Sequence, residues 1–277
     1  MDFLAKLRAA WAKNDTLLCV GLDPDKDKLP AALSGSDQPL YEFNKAIIDA
    51  TADCVCAYKP NSAFYEAAGA YGIKQLELTC RYIKERYPEL PIILDFKRGD
   101  IEHTNEQYVR YAFDYLGVDA VTVQPFLGSE ALKPFLDRKD KGIIVLSKTS
   151  NPGAAEIQDL VVDGGGQKLY LKVAQVVKDS WNQNGNCGLV VGATFANELA
   201  NVRQLVGDDM VFLVPGLGAQ GGDVSSFVRA GLNKNNDGLI INSSRSIIYA
   251  AGGADFAAAA RQAADQARQE INNYRGN

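Results

Sequence analysis

Apolar residues gather along this chain in short dense runs, and between the runs they fall at helical intervals. The dense runs are TLLCVGL (16 to 22), CVCAY (54 to 58), PIILDF (91 to 96), DAVTVQ (119 to 124), GIIVLS (142 to 147), CGLVVGA (187 to 193), MVFLVPG (210 to 216) and DGLIINS (237 to 243). Runs that are apolar on both faces, rich in β-branched residues and bounded by turn residues suit parallel strands covered by helices. The segments 39 to 53, 73 to 87, 104 to 116, 129 to 138, 167 to 183, 195 to 206, 222 to 231 and 254 to 273 carry helix-spaced apolar positions, and the last is Ala-rich, a strong helix former. Eight strand-helix units in alternation predict an α/β fold of the (β/α)8 TIM-barrel type rather than an open doubly wound sheet. An amphipathic stretch within Met1 to Lys13, bearing Phe3, Leu4, Leu7 and Trp11, is expected to close the bottom of the barrel. The longest loop, 148 to 166 with Gly164, Gly165 and Gly166, is the lid candidate.

Composition narrows the function classes. A chain of 277 residues exceeds the common domain size but fits a single barrel domain over 1 to 277, because such barrels run to roughly 250 residues and beyond. With 47% hydrophobic and 23% charged residues there is ample core and no signature of disorder. The net charge is −5 and no Lys or Arg run is dense enough for a nucleic-acid stripe. No stretch has the length and apolarity of a membrane span or the apolar region of a secretory leader, so a cytoplasmic protein with no membrane or nucleic-acid partner is expected. The cysteines Cys19, Cys54, Cys56, Cys80 and Cys187 are odd in number and sit mostly in apolar runs, which predicts buried free thiols in a reducing compartment. Cys54-x-Cys56 lacks the spacing and partner pair of a zinc knuckle. His103 is the only histidine and reads as a polar residue in the first turn of a helix. Ser129 reads as a helix cap and Ser243-Ser244 as a backbone-donating loop. A multi-histidine metal site would have to use the single histidine, so no metal is indicated, and no GxGxxG follows the first strand, so redox cofactors are not indicated either.

In barrels of this kind the active site is built at the C-terminal ends of the strands. Here those ends offer Asp23, Lys59, Asp95 with Lys97, the Lys148 to Gly153 segment, the Pro215 to Gly222 segment, and Asn242 to Arg245. The Gly-rich segment at 216 to 222, with Gln220 and with Arg245 after the last strand, predicts a phosphate or phosphosugar site made of backbone N–H groups and a bidentate cation. Lys59, Asp95, Lys97 and Asp100 form a second cluster in which opposed charges favour each other's ionised forms. Spacing alone leaves two readings of it open: an ion-pair network at the barrel mouth, or an array that repels a substrate anion with a carboxylate and delivers a proton from an ammonium.

Several motifs in order then resemble one family. GLDPD at 21 to 25, YKPNSAFYE at 58 to 66, LDFKRGDI at 94 to 101 with Thr104 behind it, VTVQPFLG at 121 to 128, SKTSNPG at 147 to 153, VPGLGAQGGD at 214 to 223 and INSSRSIIYA at 241 to 250 are similar to the orotidine 5'-phosphate decarboxylases, the longer-chain bacterial branch in particular. The resemblance spans nearly the whole chain. It implies a homodimeric barrel that converts orotidine 5'-phosphate to UMP and carbon dioxide, with no metal or organic cofactor. It also implies roles: Lys59, Asp95, Lys97 and Asp100 as the catalytic array, with Lys97 protonating C6 and Asp95 against the departing carboxylate. Asp100, Ile101 and Thr104 would reach into the neighbouring subunit's site. Asp23, Lys59 and Asp100 would hold ribose hydroxyls, Ser150 would contact the pyrimidine, and Gln220 and Arg245 would bind phosphate, with Pro215 and Ser244 as further substrate contacts.

One position departs from that branch: Gln124 stands where an Asn precedes the Pro of the fourth-strand motif, and no role is carried over to it. Two rivals predict other behaviour. A 3-keto-gulonate 6-phosphate decarboxylase or hexulose-phosphate synthase of the same superfamily would need magnesium, which a second cation at Lys59 opposes. A non-catalytic phosphate-ligand barrel would lack a member of the charged array, and none is missing.

Overall fold

The computed structural model describes residues 1–162, 164–194, 196–217 and 224–276. The apolar runs become parallel strands β1 (Leu18–Leu22), β2 (Ala57–Pro60), β3 (Ile93–Arg98), β4 (Ala120–Val123), β5 (Gly142–Lys148), β6 (Cys187–Val191), β7 (Val211–Pro215) and β8 (Leu239–Ser243). Their order is β2-β1-β8-β7-β6-β5-β4-β3. Bridges from Tyr58 to Ile92 and from Asn61 to Asp95 draw the two end strands together into a nearly closed (β/α)8 barrel. Every described position of β1, β2, β4, β6 and β8 is buried, as expected of strands with helices outside and packed side chains within.

The helices are α1 (Phe3–Asn14), α2 (Pro39–Thr51), α3 (Ser62–Glu66), α4 (Gly69–Arg86), α5 (Glu102–Val109), α6 (Gly128–Leu136), α7 (Ala155–Gln158), α8 (Leu169–Val176), α9 (Ala196–Val206), α10 (Val224–Gly231), α11 (Arg245–Ile248) and α12 (Phe256–Asn272). The expected helices at 104 to 116 and 167 to 183 both appear, but each finishes in a π-helical stretch, Arg110–Leu116 and Val177–Trp181. Ser129 does not cap α6: the N-cap is Leu127, with no side-chain bond. Among the described residues no helix is long and apolar enough to cross a membrane. All five cysteines are free and buried, and burial pushes the Cys56, Cys80 and Cys187 thiols up to about 12, which makes them poor nucleophiles.

Helix α1 closes the bottom of the barrel as expected. Phe3, Leu7 and Trp11 are buried, and the Phe3 ring fills the space where a side chain on Gly142, at the entry of β5, would stand. Lys6 Nζ pairs with Asp119 before β4, at 3.0 Å, and Asn14 Nδ2 donates to Val55 O before β2, at 2.8 Å. All three partners lie on the N-terminal side of the strands, so α1 leaves the opposite mouth open.

A buried arginine secures the same side. Arg203 of α9 donates to the carbonyls of Gly207, Met210, Gly231 and Gly238 and stacks on Phe212, its guanidinium carbon 3.8 Å from the ring centroid. Burial pulls its pKa down to about 10. Replacing it by Met strips these carbonyls of a charged donor, and urea unfolding should show a loss of about 3–5 kcal/mol. Lys should restore only part, since one ammonium cannot span the fork.

Candidate active site

The open mouth collects charge on β2 and β3, and β4 supplies a group that the sequence reading missed. Lys59, in β2, pairs in register with Gly21 of β1. Its side chain is 4% exposed and its Nζ donates to Asp95 Oδ2 at 2.8 Å. Lys97 Nζ donates to the other oxygen, Oδ1, at 2.6 Å, and Thr122 Oγ1 donates to the same oxygen at 2.9 Å. Asp95 is itself buried, so a desolvated carboxylate is answered at both oxygens by ammoniums and once more by a hydroxyl. A Thr near the end of a wholly apolar strand was the available signal for Thr122.

Regular strand alternation is not what brings Lys97 to this carboxylate. Leu94 pairs with Val121 and Arg98 with Val123, so β3 bulges between them, and Lys97 takes a φ of +46°. A bulge re-aims a side chain at the cost of ladder pairing. Thr122 recovers part of that cost, because its Oγ1 accepts from Lys97 N at 3.1 Å while donating to Asp95.

Lys59 and Asp95 hold each other in their charged forms. Burial alone would push Lys59 down, but the Asp95 and Asp23 carboxylates outweigh it and hold the ammonium above the usual lysine range. For Asp95, burial would raise the pKa, and Lys59 and Lys97 together outweigh it and hold the carboxyl well below the usual carboxylate range. Asp23, just past β1, accepts from Asn61 N at 3.1 Å through Oδ1.

Asp100 does not join this group. It follows the end of β3, and its Oδ1 accepts from its neighbour, Ile101 N, at 2.7 Å. Ile101 is 60% exposed, and Thr104 lies exposed in the first turn of α5. His103, beside them, is an exposed helix residue facing Glu106.

The remaining candidates sit on the rim. Ser150, beyond β5, is half-buried and packs so close to Gly192 that an added Cβ there would stand 2.9 Å from its backbone N. The expected lid is not a structureless loop: it contains a 3-10 turn (Pro152–Ala154), α7 and a bridge between Val161 and Lys168. Lys148 Nζ meets Asp159 at 2.8 Å, and Gln158 exchanges two hydrogen bonds with Thr149, at 2.8 Å each, which ties the loop to the end of β5. Pro215 ends β7, and Gly216 follows with a φ of +117°. Gln220 lies outside the described residues. Ser244 precedes α11 and Arg245, its first residue, is exposed. Gly21 admits Ser244 to the barrel mouth, since a Cβ on Gly21 would fall 1.8 Å from Ser244 Oγ. Among the described residues no group of three His, Cys, Asp or Glu side chains could hold a metal ion.

The geometry defines a barrel enzyme class with a hydrogen-bonded Lys-Asp-Lys cluster at its mouth. Residues 16–263 match the model of the orotidine 5'-phosphate decarboxylase / HUMPS family, and the chain belongs to that family. An orotidine 5'-phosphate decarboxylase of Janthinobacterium sp. (strain Marseille) is 54% identical over 274 residues, covering 99% of each chain. Among solved structures, Leishmania donovani OMP decarboxylase superposes with a TM-score of 0.85 at 39% identity over 99% of both chains. Leishmania donovani UMP synthase gives 0.87 at 40% identity, over 99% of this chain and 57% of the other.

Proposed function

We propose that this chain, as one barrel domain over 1–277, decarboxylates orotidine 5'-phosphate to UMP and carbon dioxide in the cytoplasm, using neither metal nor organic cofactor. The observation that carries this reading is the Asp95 carboxylate, buried and engaged at both oxygens by Lys59 and Lys97. A magnesium-dependent sugar-phosphate enzyme would need such a carboxylate as a metal ligand, and here ammoniums occupy it. The relatives matched across the full chain carry the decarboxylase name as well.

The chemistry follows from charge. Breaking the bond from C6 to the carboxylate leaves its electron pair on C6 as a carbanion with little resonance relief. Catalysis therefore requires groups that favour that anion over the substrate. The Lys97 ammonium stabilises the developing charge, then transfers an Nζ proton to C6, and solvent reprotonates the amine. Asp95, beside the substrate carboxylate, disfavours the bound ground state and is relieved as carbon dioxide leaves. Asp23 and Lys59 hold ribose hydroxyls and Ser150 the pyrimidine. Gln220 and Arg245 bind the phosphate, whose binding energy draws the 148 to 166 loop closed, and Pro215 and Ser244 are further substrate contacts.

The active form is a homodimer in which the partner subunit's Asp100, Ile101 and Thr104 complete each site. In support, Asp100 stands apart from its own array, and the adjoining rim exposes Ile101 and Phe126, the latter at 86%, apolar surface that a second copy would cover. Release of carbon dioxide from orotidine 5'-phosphate by the purified chain in EDTA tests the activity, and a requirement for magnesium would refute it. Arg245→Ala should weaken UMP binding by about 10- to 100-fold, the loss of one charge-assisted phosphate contact. Unchanged affinity in calorimetry would remove Arg245 from the phosphate site.

A further inference from the structure

Gln124, to which the resemblance carries over no role, has a definite task. Its Nε2 donates to Gly99 O at 2.6 Å, its Oε1 accepts from Phe126 N at 2.9 Å, and its own N donates to Arg98 O at 3.0 Å. Asn105, wholly buried in α5, grips the next residue at both ends: Oδ1 accepts from Asp100 N at 2.9 Å, and Nδ2 donates to Asp100 O at 2.5 Å and to Ala131 O of α6 at 2.6 Å. The consecutive carbonyls of Arg98, Gly99 and Asp100, and the Asp100 amide, are thus all held by residues 105 and 124. The fit is close enough to dictate Gly99, because a Cβ there would stand 2.7 Å from Gln124 O and 2.9 Å from its side chain.

The turn needs such a grip. Lys97 and Glu102, which flank it, have φ values of +46° and +26°, left-handed conformations that residues with a Cβ adopt only where their surroundings over-determine them. Relaxation of either would swing the Asp100 carboxylate. We infer that Gln124 and Asn105 are positioning residues that fix the Asp100 turn in the geometry with which it enters the partner's site. This rests on the reading of Asp100 given above.

The test is a double-mutant cycle on the full-length protein, with kcat, KM and melting temperature measured for orotidine 5'-phosphate. Gln124→Glu keeps the shape and the acceptor but cannot donate to Gly99 O when ionised. It should lower kcat/KM by about 10- to 100-fold, the penalty of a small misplacement, divided between kcat and KM as in Asp100→Ala, with the melting temperature close to that of the parent. In the Asp100→Ala background the same substitution should cost less than about twofold, because its target is gone. A Gln124→Glu protein of parental kcat/KM, or losses that multiply in the double mutant, would overturn the inference. Should Asp100→Ala alone be fully active, the reading of Asp100 falls, and amide hydrogen exchange across 99–101 then decides the clamp. Faster exchange in Gln124→Glu supports it, and unchanged exchange overturns it.

Discussion

Lys97→Ala is expected to lower kcat for orotidine 5'-phosphate by at least about 10⁴-fold while leaving the protein folded. The size follows from two duties of one ammonium. Electrostatic stabilisation of a developing anion is worth roughly 10²–10³, and proton delivery by a placed acid roughly 10²–10⁴. Because both act on the same carbanion, the two factors do not simply multiply. Folding survives because Lys97 is half exposed and Asp95 keeps Lys59 and Thr122 as donors after its removal. Single-turnover kinetics and UMP titration together check this: chemistry should vanish while UMP still binds. Turnover near the parental rate would end the assignment of Lys97.

Asp95→Asn should cost more in stability, though less in rate. In the parent protein the depressed pKa of Asp95 contributes stability that is present above the unfolded carboxyl value of about 4 and is lost as pH falls through the lower folded value. The raised pKa of Lys59 contributes stability that is present below the unfolded lysine value of about 10 and is lost as pH rises through the higher folded one. Between these limits the pair stays charged, so its contribution to stability should be flat from about pH 5 to pH 9. The amide removes the anion that offset the burial of Lys59, whose pKa must then move down. Urea unfolding should show a loss of about 3–5 kcal/mol at neutral pH, with a new dependence on pH at the alkaline end. The rate should fall about 10²–10³-fold. A flat profile and parental stability would show that the pair is not coupled as the geometry requires.

The barrel was legible because parallel strands buried on both faces write themselves as unbroken apolar runs, and helices outside them keep their own period. Strand ends were less so. The second run was read at 54 to 58, yet β2 spans Ala57–Pro60, since nothing within a fully apolar run marks where pairing begins. Lys59, expected at the end of the strand, is its third residue, with Pro60 after it. The bulge in β3 was invisible for another reason. The bond from Lys97 to Thr122 that steadies it spans 25 residues, and its symptom is a left-handed lysine, which no local preference announces. Alternation would put Asp95 and Lys97, two residues apart, on one face. They do meet, but through that bulge.

Asp100 shows where spacing misleads. Three residues from Lys97, it looks like part of one cluster, yet its Oδ1 accepts from Ile101 N while Lys59 and Lys97 both pair with Asp95. The contacts that hold the Asp100 turn come from Gln124, 25 residues from Gly99, and from Asn105, which the sequence presents as an ordinary helix amide, so local pattern does not single them out. Gln220 was named from its Gly-rich setting, and its place stays an expectation of the sequence.

The most direct measurement of the central claim is to run the purified chain on orotidine 5'-phosphate in heavy water with EDTA and to follow C6 by proton NMR. A carbanion protonated by an exchangeable ammonium predicts UMP deuterated at C6, formed in step with carbon dioxide. UMP that forms only on addition of magnesium, UMP that retains no solvent deuterium, or binding without carbon dioxide release would contradict it.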